Sequence, residues 1–164
     1  MLTSDQRTIS LTVNGEKRTA TVETRTSLAD LLREEFRLTG THLACEHGVC
    51  GACTVLLDGE AVRSCLLFAV QAHGHQVETV ESLAPDPEHL NTLQEQFVQH
   101  HGLQCGFCTP GILMTLTAEL RTNPHPSEQQ VREMLAGNLC RCTGYLGMID
   151  AVLAATGSHA EDEA

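Results

Sequence analysis

The chain reads Cys45-Glu46-His47-Gly48-Val49-Cys50-Gly51-Ala52-Cys53, and a further cysteine follows at Cys65. A helix cannot aim three thiols at one small centre from positions five and three residues apart, whereas a loop wrapped around that centre can. Gly48 and Gly51 suit such a loop, because glycine tolerates positive φ and lets backbone N–H groups approach sulfur. We therefore predict a loop at 45–53 whose thiols converge with that of Cys65.

Four more cysteines form a second group of two close pairs, Cys105 with Cys108 and Cys140 with Cys142. The first group, C-x4-C-x2-C with a later fourth cysteine, has the spacing of a plant-type [2Fe–2S] site. Both pairs of the second group precede a predicted helix start, where the positive end of the helix dipole would face an anionic cluster. All eight cysteines are thus predicted ligands of two one-electron centres, which indicates a conduit for electrons rather than a site of bond formation.

The length, the net charge and the lack of long apolar runs indicate which kinds of protein this chain can be. The chain has 164 residues and a formal charge of −11, which leaves room for two small domains with one cysteine group each. Two oxidised clusters would take the charge to about −15, which disfavours nucleic acid as a partner because its phosphates would be repelled. The amino end shows no signal-peptide pattern, and no apolar run approaches the ~18 residues of a membrane span. We therefore expect a cytoplasmic protein without a membrane span.

Other uses of the cysteines stay open on spacing alone. Disulfides are disfavoured in a reducing cytoplasm, and a thioredoxin-like pair would leave the other cysteines unexplained. Cys105 and Cys108 also resemble half of a zinc site, although the second pair of that group has one intervening residue where zinc ribbons usually have two. A Rieske centre would need a histidine where the chain has Phe68, so His47 is interpreted as a loop residue near the first centre.

The first eighty residues predict strands, hairpins and a helix. Residues 9–13 and 19–22 alternate apolar and polar around Asn14-Gly15, which indicates a hairpin with a type I′ turn. Ser27 is a predicted helix N-cap, and Gly40 is expected to close that helix or the turn after it. A buried strand at 54–57, a turn at Asp58-Gly59 and a closing strand at 76–80 complete a β-grasp arrangement.

Beyond Pro85-Asp86-Pro87 the strand signals disappear and helix caps recur. Asp86 is a predicted N-cap with Pro87 as the first helical residue. Three further helices are predicted from Thr109-Pro110 to Asn123, from Ser127 with its capping partner Gln130 to Gly137, and from about Gly144 through Leu153.

These elements predict an α+β chain, with an N-terminal β-grasp plant-type ferredoxin domain followed by a C-terminal four-helix [2Fe–2S] domain. The predicted boundaries are 1–83 for the first domain, 84–88 for a linker, 89–156 for the second domain and 157–164 for an acidic tail expected to be disordered. The chain has four Phe, one Tyr and no Trp. Because such cores are lean, we expect bound clusters to contribute to stability.

The chain lacks several motifs of enzymes that work alone. It has no G-x-G-x-x-G or Walker A loop and no residue set typical of hydrolases, so catalytic cofactors are expected on another chain. The remaining histidines show no metal-ligand spacing and are interpreted as surface or packing residues: His42, His73, His75, His89, His100, His101, His125 and His159.

Both cysteine groups stand in longer motifs: the stretch from Cys45 to Thr54, then Gln104-Cys105-Gly106-Phe107-Cys108-Thr109-Pro110-Gly111, then Gly137-Asn138-Leu139-Cys140-Arg141-Cys142-Thr143-Gly144-Tyr145. In this order they resemble the small iron–sulfur subunit of the molybdenum hydroxylases, a family that includes xanthine, aldehyde, quinoline, nicotine and carbon monoxide oxidoreductases. The resemblance covers about residues 7–156. With it, zinc becomes a poor interpretation of the second group.

The resemblance implies a large subunit that binds molybdopterin, expected as the cytosine dinucleotide, with molybdenum, and a medium subunit that binds FAD. Electrons released by substrate hydroxylation with oxygen from water would pass through the helical-domain cluster, then the ferredoxin-like cluster, to FAD. Gln104 matches a glutamine that touches the molybdopterin, and Cys142 matches a ligand close to the pterin ring. The assembly is expected to be a heterotrimer or a dimer of heterotrimers.

Two alternatives accompany this interpretation. A free-standing two-cluster ferredoxin would carry the same eight ligands without partners. A carbon monoxide dehydrogenase would use the same subunit, but Cys45-Glu46-His47-Gly48 is closer to members that oxidise N-heteroaromatic compounds or aldehydes. We therefore expect a substrate of one of those two classes.

Overall fold

The computed structural model describes residues 5–84, 86 and 88–158. A mixed sheet is followed by helices, so the α+β prediction is confirmed at that level. The strands are β1 (Gln6–Val13), β2 (Glu16–Glu23), β3 (Thr54–Leu57), β4 (Glu60–Arg63) and β5 (Gln76–Glu78). The α-helices are α1 (Leu28–Asp30), α2 (Thr92–Gln99), α3 (Thr109–Thr122), α4 (Glu128–Leu135) and α5 (Leu146–Thr156).

The five strands form one sheet in the order β2-β1-β5-β3-β4. β1 pairs with β5 in parallel, and the other neighbours are antiparallel. Both predicted hairpin turns are present: Asn14 and Gly15 have φ of 50° and 82°, and Asp58 and Gly59 have φ of 51° and 91°. Two consecutive positive φ angles are what a type I′ turn requires.

The helix that covers the sheet begins where the sequence predicted. The Ser27 hydroxyl accepts a hydrogen bond from the Asp30 N–H at 3.0 Å, and α1 continues directly as a wider π turn over Leu31–Glu35. Arg37 then takes a φ of 59°, and Gly40 lies in the following turn. The buried core beneath this helix combines both elements: Leu28, Leu31 and Leu32 with Ile9, Leu11, Val13, Val55 and Val77.

The predicted start of the first C-terminal helix is wrong. α2 begins after Asn91, whose side chain accepts the Gln94 N–H at 2.8 Å while the Gln94 side chain accepts the Asn91 N–H at 2.9 Å. This reciprocal capping box satisfies two N–H groups that a helix start leaves unpaired. The Asp86 carboxylate instead accepts the backbone N–H of Glu88, and Pro87 lies outside the described residues.

The other helices follow the prediction closely. Pro110 stands in the first turn of α3, and Asn123 ends that helix. The expected capping box opens α4. α5 begins at Leu146 rather than at about Gly144, because Tyr145 takes a left-handed φ of 72° immediately before it.

The four C-terminal helices share a second apolar core, which includes Phe97, Ile112, Leu116, Val131, Met148 and Val152. Two predicted segments lie partly outside the described residues: 85 and 87 in the linker, and 159–164 in the acidic tail. Within the described part of the chain, no helix combines the length and the apolar character needed to cross a bilayer.

Candidate metal centres

The first cysteine group lies on a loop, as predicted. Residues 45–53 form neither helix nor strand, and Glu46, Gly48 and Gly51 have positive φ angles of 52°, 75° and 75°. Gly51 also has no room for a side chain, because a Cβ there would lie 2.7 Å from the Gly137 carbonyl oxygen. Its conformation and its packing against a distant segment therefore both require glycine.

Backbone N–H groups inside this loop point at a cysteine sulfur. The Cys45 Sγ accepts hydrogen bonds from the N–H of His47 at 3.4 Å and of Cys50 at 3.3 Å. These two N–H groups lower the pKa of Cys45 to about 6. They hold the thiol as an anion near neutral pH, the form in which cysteine binds metal. His47 thus lies near the first group, as expected, and contributes its backbone.

The fourth cysteine of this group arrives from the end of the β3–β4 hairpin. Cys65 lies in a short 3-10 turn, Ser64–Leu66, directly after β4. The buried Ser64 hydroxyl donates to the Cys53 carbonyl oxygen at 2.7 Å, which joins the turn to the end of the loop. Burial, followed by the hydrogen bond with Cys53, raises the pKa of Cys65 to about 11. The two cysteines are therefore close neighbours.

The second group is assembled by the helices. Cys108 is the residue that precedes α3, and the Cys105 Sγ lies 3.5 Å from the Cys142 Sγ. Two thiolates on one tetrahedral metal with bonds of ~2.3 Å lie about 3.8 Å apart. Burial, followed by the hydrogen bond with Cys140, raises the pKa of Cys108 to about 12. All four predicted members of this group are thus brought into one neighbourhood.

Tyr145 orders the segment that carries the second pair. Its hydroxyl accepts the Cys140 N–H at 2.7 Å and donates to the Asn138 carbonyl oxygen at 2.9 Å. The Thr143 hydroxyl lies 3.2 Å from the Cys140 Sγ. Burial alone would raise the pKa of Cys140, but the hydrogen bonds of Thr143 and of the Cys142 N–H hold it below its usual range.

The second group is open to solvent at one side. Gln104, Cys105 and Cys142 are all exposed, whereas Cys53 of the first group is buried. Both residues that the resemblance assigns to cofactor contact, Gln104 and Cys142, are thus exposed, and Gln104 directly precedes Cys105, whose sulfur contacts that of Cys142.

The two cysteine groups are in direct hydrogen-bonded contact. The Leu139 N–H donates to the Cys50 carbonyl oxygen at 2.9 Å, and the buried Asn138 side chain donates to the Gly51 carbonyl oxygen at 3.1 Å. The Thr115 hydroxyl donates to the Asn138 side-chain oxygen at 3.0 Å. Leu139 precedes Cys140, so one hydrogen bond joins the backbone of a predicted ligand of the first group to the residue next to a predicted ligand of the second.

A second contact joins the segment before the first loop to the segment that carries Cys105 and Cys108. The ring of His42 stacks on that of Phe107 with centroids 4.7 Å apart, and its Nδ1 lies 2.8 Å from the Phe107 carbonyl oxygen. Phe107 stands between Cys105 and Cys108. His42 is therefore a packing residue, in agreement with its interpretation from the sequence, but its position between the two centres had no sequence signal.

The donor sets fit iron–sulfur clusters. All eight cysteines are free thiols, and in the described ranges no three His, Cys, Asp or Glu side chains converge closely enough to hold a single ion. A diiron cluster needs four thiolates around a larger rhomb, together with N–H donors to sulfur. Thiol-only sets with glycines and N–H groups at Cys45 match that requirement.

Comparison with known proteins agrees with this chemistry. A "2Fe-2S iron-sulfur cluster binding domain" family matches residues 11–84, and a "[2Fe-2S] binding domain" family matches residues 79–153. The caffeine dehydrogenase subunit gamma of Pseudomonas sp. (strain CBB1) is 58% identical over 88% of this chain and 87% of its own length. The nicotine 6-hydroxylase small subunit of Paenarthrobacter nicotinovorans is 54% identical over 94% of this chain and 92% of its own length.

The fold agrees as well. In the crystal structure of quinoline 2-oxidoreductase from Pseudomonas putida 86, one chain superposes with a TM-score of 0.90 at 54% identity, covering 94% of this chain and 96% of that one. The chain belongs to the small iron–sulfur subunits of the molybdenum hydroxylases. As a member of that family it binds [2Fe–2S] clusters and is an iron–sulfur subunit of an oxidoreductase. Zinc, which spacing had left open for the second group, has no support.

Proposed function

We propose that this subunit relays single electrons between a molybdenum centre on a large partner subunit and FAD on a medium one. The observation that carries the proposal is the contact between the two cysteine groups, in which the Leu139 N–H donates to the Cys50 carbonyl oxygen at 2.9 Å. An electron relay needs its two centres joined by a short, rigid path, and this hydrogen bond supplies one between the backbone of Cys50 and that of the residue before Cys140. The five-stranded sheet and the four helices after it support the division into a β-grasp ferredoxin-like domain and a four-helix domain.

Each cysteine group holds one cluster in this proposal. Cys45, Cys50, Cys53 and Cys65 hold the first, and Cys105, Cys108, Cys140 and Cys142 hold the second. When bound, a [2Fe–2S] cluster accepts and donates one electron at a time. The protein fixes the thiolates, donates N–H groups to the sulfurs and excludes water from the inner side at Cys53.

The second group faces the molybdenum subunit in this proposal. The exposure of Gln104, Cys105 and Cys142 supports it, because a group that exchanges electrons with another chain must reach the surface. Gln104 and Cys142 are the proposed contacts with the molybdopterin cofactor, expected in its cytosine dinucleotide form. Electrons then move inward to the first group and on to FAD.

Exposed apolar side chains around both groups support coverage by partner subunits. Phe107, Leu139 and Leu146 at the second group have 46%, 57% and 61% of their surface exposed. Val49, Leu66 and Phe68 at the first group have 65%, 59% and 50% exposed. Large apolar side chains clustered on a surface typically mark protein interfaces. The proposed assembly is a heterotrimer or a dimer of heterotrimers. In it the large subunit covers the apolar side chains at the second cysteine group, and the FAD subunit covers those at the first.

The substrate class proposed for the complex is an N-heteroaromatic compound. Caffeine, nicotine and quinoline, in the names of the three relatives, all contain an aromatic ring with nitrogen. Hydroxylation itself would take place on the large subunit, and this chain would supply the ligands of the electron-carrying clusters.

The test is isolation of the native complex through an affinity tag on this chain. We expect two larger chains to co-purify, with four irons, one molybdenum and one FAD per copy, and dithionite reduction to give two distinguishable paramagnetic signals. An intact complex without molybdenum would contradict the proposal. Purification of the chain alone with iron and sulfide would favour the free-standing ferredoxin, which the subunit names of the relatives do not support.

A further inference from the structure

Arg63 occupies a position between the two cysteine groups. It is the last residue of β4 and pairs in register with Thr54, the residue after Cys53, while Cys65 follows it by two residues. Residues two apart in sequence have Cα atoms within about 7 Å. The backbone of Arg63 therefore lies close to two predicted ligands of the first group, Cys53 and Cys65.

The guanidinium joins the segments of both groups. Its Nη1 donates to the Thr54 hydroxyl at 2.6 Å, and its Nη2 donates to the Gly137 carbonyl oxygen at 2.6 Å. The Thr54 hydroxyl donates in turn to the Gly51 carbonyl oxygen at 2.6 Å. Gly137 leaves the space for this contact, because a Cβ there would lie 2.9 Å from Nη2.

The positive charge of Arg63 is not neutralised by an ion pair. Both of its hydrogen-bond acceptors are uncharged, and across 5–84, 86 and 88–158 no carboxylate pairs with it. Its Nε is buried without a hydrogen-bond partner among those same residues. Two arginines of the helices, by contrast, are each paired with a carboxylate: Arg121 with Glu78 at 2.8 Å and Arg132 with Glu128 at 2.6 Å.

A half-buried, unpaired guanidinium is costly unless a negative group lies nearby. The guanidinium contacts Thr54, directly after Cys53, and Gly137, three residues before Cys140, and among the described residues no carboxylate pairs with it. Potentials of iron–sulfur clusters depend on net charge and hydrogen bonding around the sulfurs. A fixed cation therefore favours the reduced, more negative form of the nearer centre.

We propose that Arg63 sets the reduction potential of the first centre, raising it through its unpaired positive charge, and so favours electron flow from the second centre to the first. The inference rests on the proposed function, because it requires a cluster in each cysteine group. Arg63 is a tuning residue here and does not touch the reacting substrate.

The experiment compares three variants of the native complex by potentiometric titration of the two paramagnetic signals. Arg63→Gln removes the charge and keeps an amide donor, whereas Arg63→Lys keeps the charge and loses the planar fork. Arg121→Gln is the matched control, since Arg121 approaches the Gly59 turn at the opposite end of the same hairpin, with its Nη1 3.6 Å from the site of a Cβ there.

Arg63→Gln should shift the first centre toward its oxidised form at a fixed potential, with the ratio of oxidised to reduced changing on the order of tenfold, as unit charges ~10 Å apart at an effective dielectric constant of about 20 predict. The second centre should shift less. Arg63→Lys and Arg121→Gln should titrate like the wild type.

Equal shifts in Arg63→Gln and Arg121→Gln, or no shift in Arg63→Gln, would overturn the inference. If Arg63→Gln fails to load iron, Arg63→Met removes the charge with a side chain of similar length, and an unshifted first signal in that variant would overturn the inference. A large shift in Arg63→Lys, which keeps the charge, would contradict a charge effect as well. A wild-type complex without two signals would instead contradict the proposed function, before any variant is measured.

Discussion

The two cysteine groups are preorganised by different means. In the first group the local backbone conformation positions the thiols. One loop supplies three of them, and positive φ angles at Glu46, Gly48 and Gly51 give that loop its shape. In the second, two short segments are brought together by helix packing, and Cys105 meets Cys142 across a separation of 37 residues. A local loop resists damage to the helical core, whereas an assembled site depends on that core.

Removal of a ligand should have the largest effect and should separate the two groups. Cys108→Ala is expected to abolish the signal of the second centre, halve the iron content and stop electron flow from substrate to flavin, while the first centre still forms. Cys50→Ala is the matched variant. It should abolish the signal of the first centre while the second centre still forms. Iron analysis and electron paramagnetic resonance of the reduced complex measure both. Loss of both signals in Cys108→Ala would show that the first loop does not hold its centre independently.

Two glycines at close backbone contacts allow a sharper comparison. A Cβ on Gly111 of α3 would lie 2.2 Å from the Gly51 carbonyl oxygen, and a Cβ on Gly147 of α5 would lie 2.4 Å from the His100 carbonyl oxygen. Gly111→Ala and Gly147→Ala should each lower the free energy of unfolding by about 3 kcal/mol, because a backbone acceptor cannot easily move away. Denaturant titration of the full chain measures this loss.

The two glycine variants should differ in their spectra. Gly111 contacts the first loop, so Gly111→Ala should alter the signal of the first centre, whereas Gly147→Ala lies wholly among the helices and should leave that signal unchanged. An unchanged first signal in both variants would mean that the loop keeps its shape without its contact with α3.

The buried amide between the groups should have a smaller effect. Asn138→Ala removes the donor to the Gly51 carbonyl oxygen and leaves the Thr115 hydroxyl with one acceptor fewer. We expect a loss of about 2 kcal/mol in the free energy of unfolding, from two buried hydrogen bonds worth about 1 kcal/mol each. The loss stays moderate because Thr54 still donates to the Gly51 carbonyl oxygen and the Thr115 hydroxyl keeps the Gly111 carbonyl oxygen. Thr115→Val and the double variant Asn138→Ala/Thr115→Val complete a double-mutant cycle. If the two single losses in unfolding free energy simply add in the double variant, Asn138 and Thr115 do not act as one hydrogen-bond network.

Local sequence rules predicted elements that local interactions determine. Asn14-Gly15 and the Ser127 capping box formed as expected, because the atoms that stabilise them lie within a few residues. At the start of α2 the predicted cap, Asp86, is wrong, and the prediction missed Asn91, whose partner three residues later, Gln94, returns the hydrogen bond. The N-cap pattern correctly predicted that a helix follows, but the reciprocal hydrogen bonds of Asn91 and Gln94 determine where that helix begins.

The contacts between the groups could not be read from the sequence. Arg63 reaches Gly137 across 74 residues, and Asn138 reaches Gly51 across 87. Cysteine spacing predicts which thiols share a centre, but no periodicity or cap relates one centre to the other. The sequence pointed to Asn138 only because it lies within the motif at 137–145, and it gave no indication that Arg63 contacts both segments. The ligand sets and the domain boundaries remain predictions.

The smallest expected effect concerns an exposed ion pair at the turn of the β3–β4 hairpin. The Asp58 carboxylate accepts the Gln76 N–H at 2.8 Å and lies 2.5 Å from the His75 Nδ1. The Gln76 N–H, followed by His75, holds the pKa of Asp58 below its usual range. A carboxyl whose pKa falls on folding adds stability above its unfolded pKa, about 3.9. That contribution is lost as the pH drops through the lower folded value.

Asp58→Asn should therefore melt below the wild type at neutral pH, and the gap in melting temperature should close as the pH falls below about 4. Because the pair is exposed, salt should narrow the gap as well. Asp86→Asn is the matched variant outside the sheet. The Asp86 carboxylate also has a lowered pKa, through His89 and the Glu88 N–H, so its gap in melting temperature should likewise close at acidic pH. A gap for Asp58→Asn that stays constant from neutral to acidic pH would mean that the turn depends on side-chain shape rather than on charge.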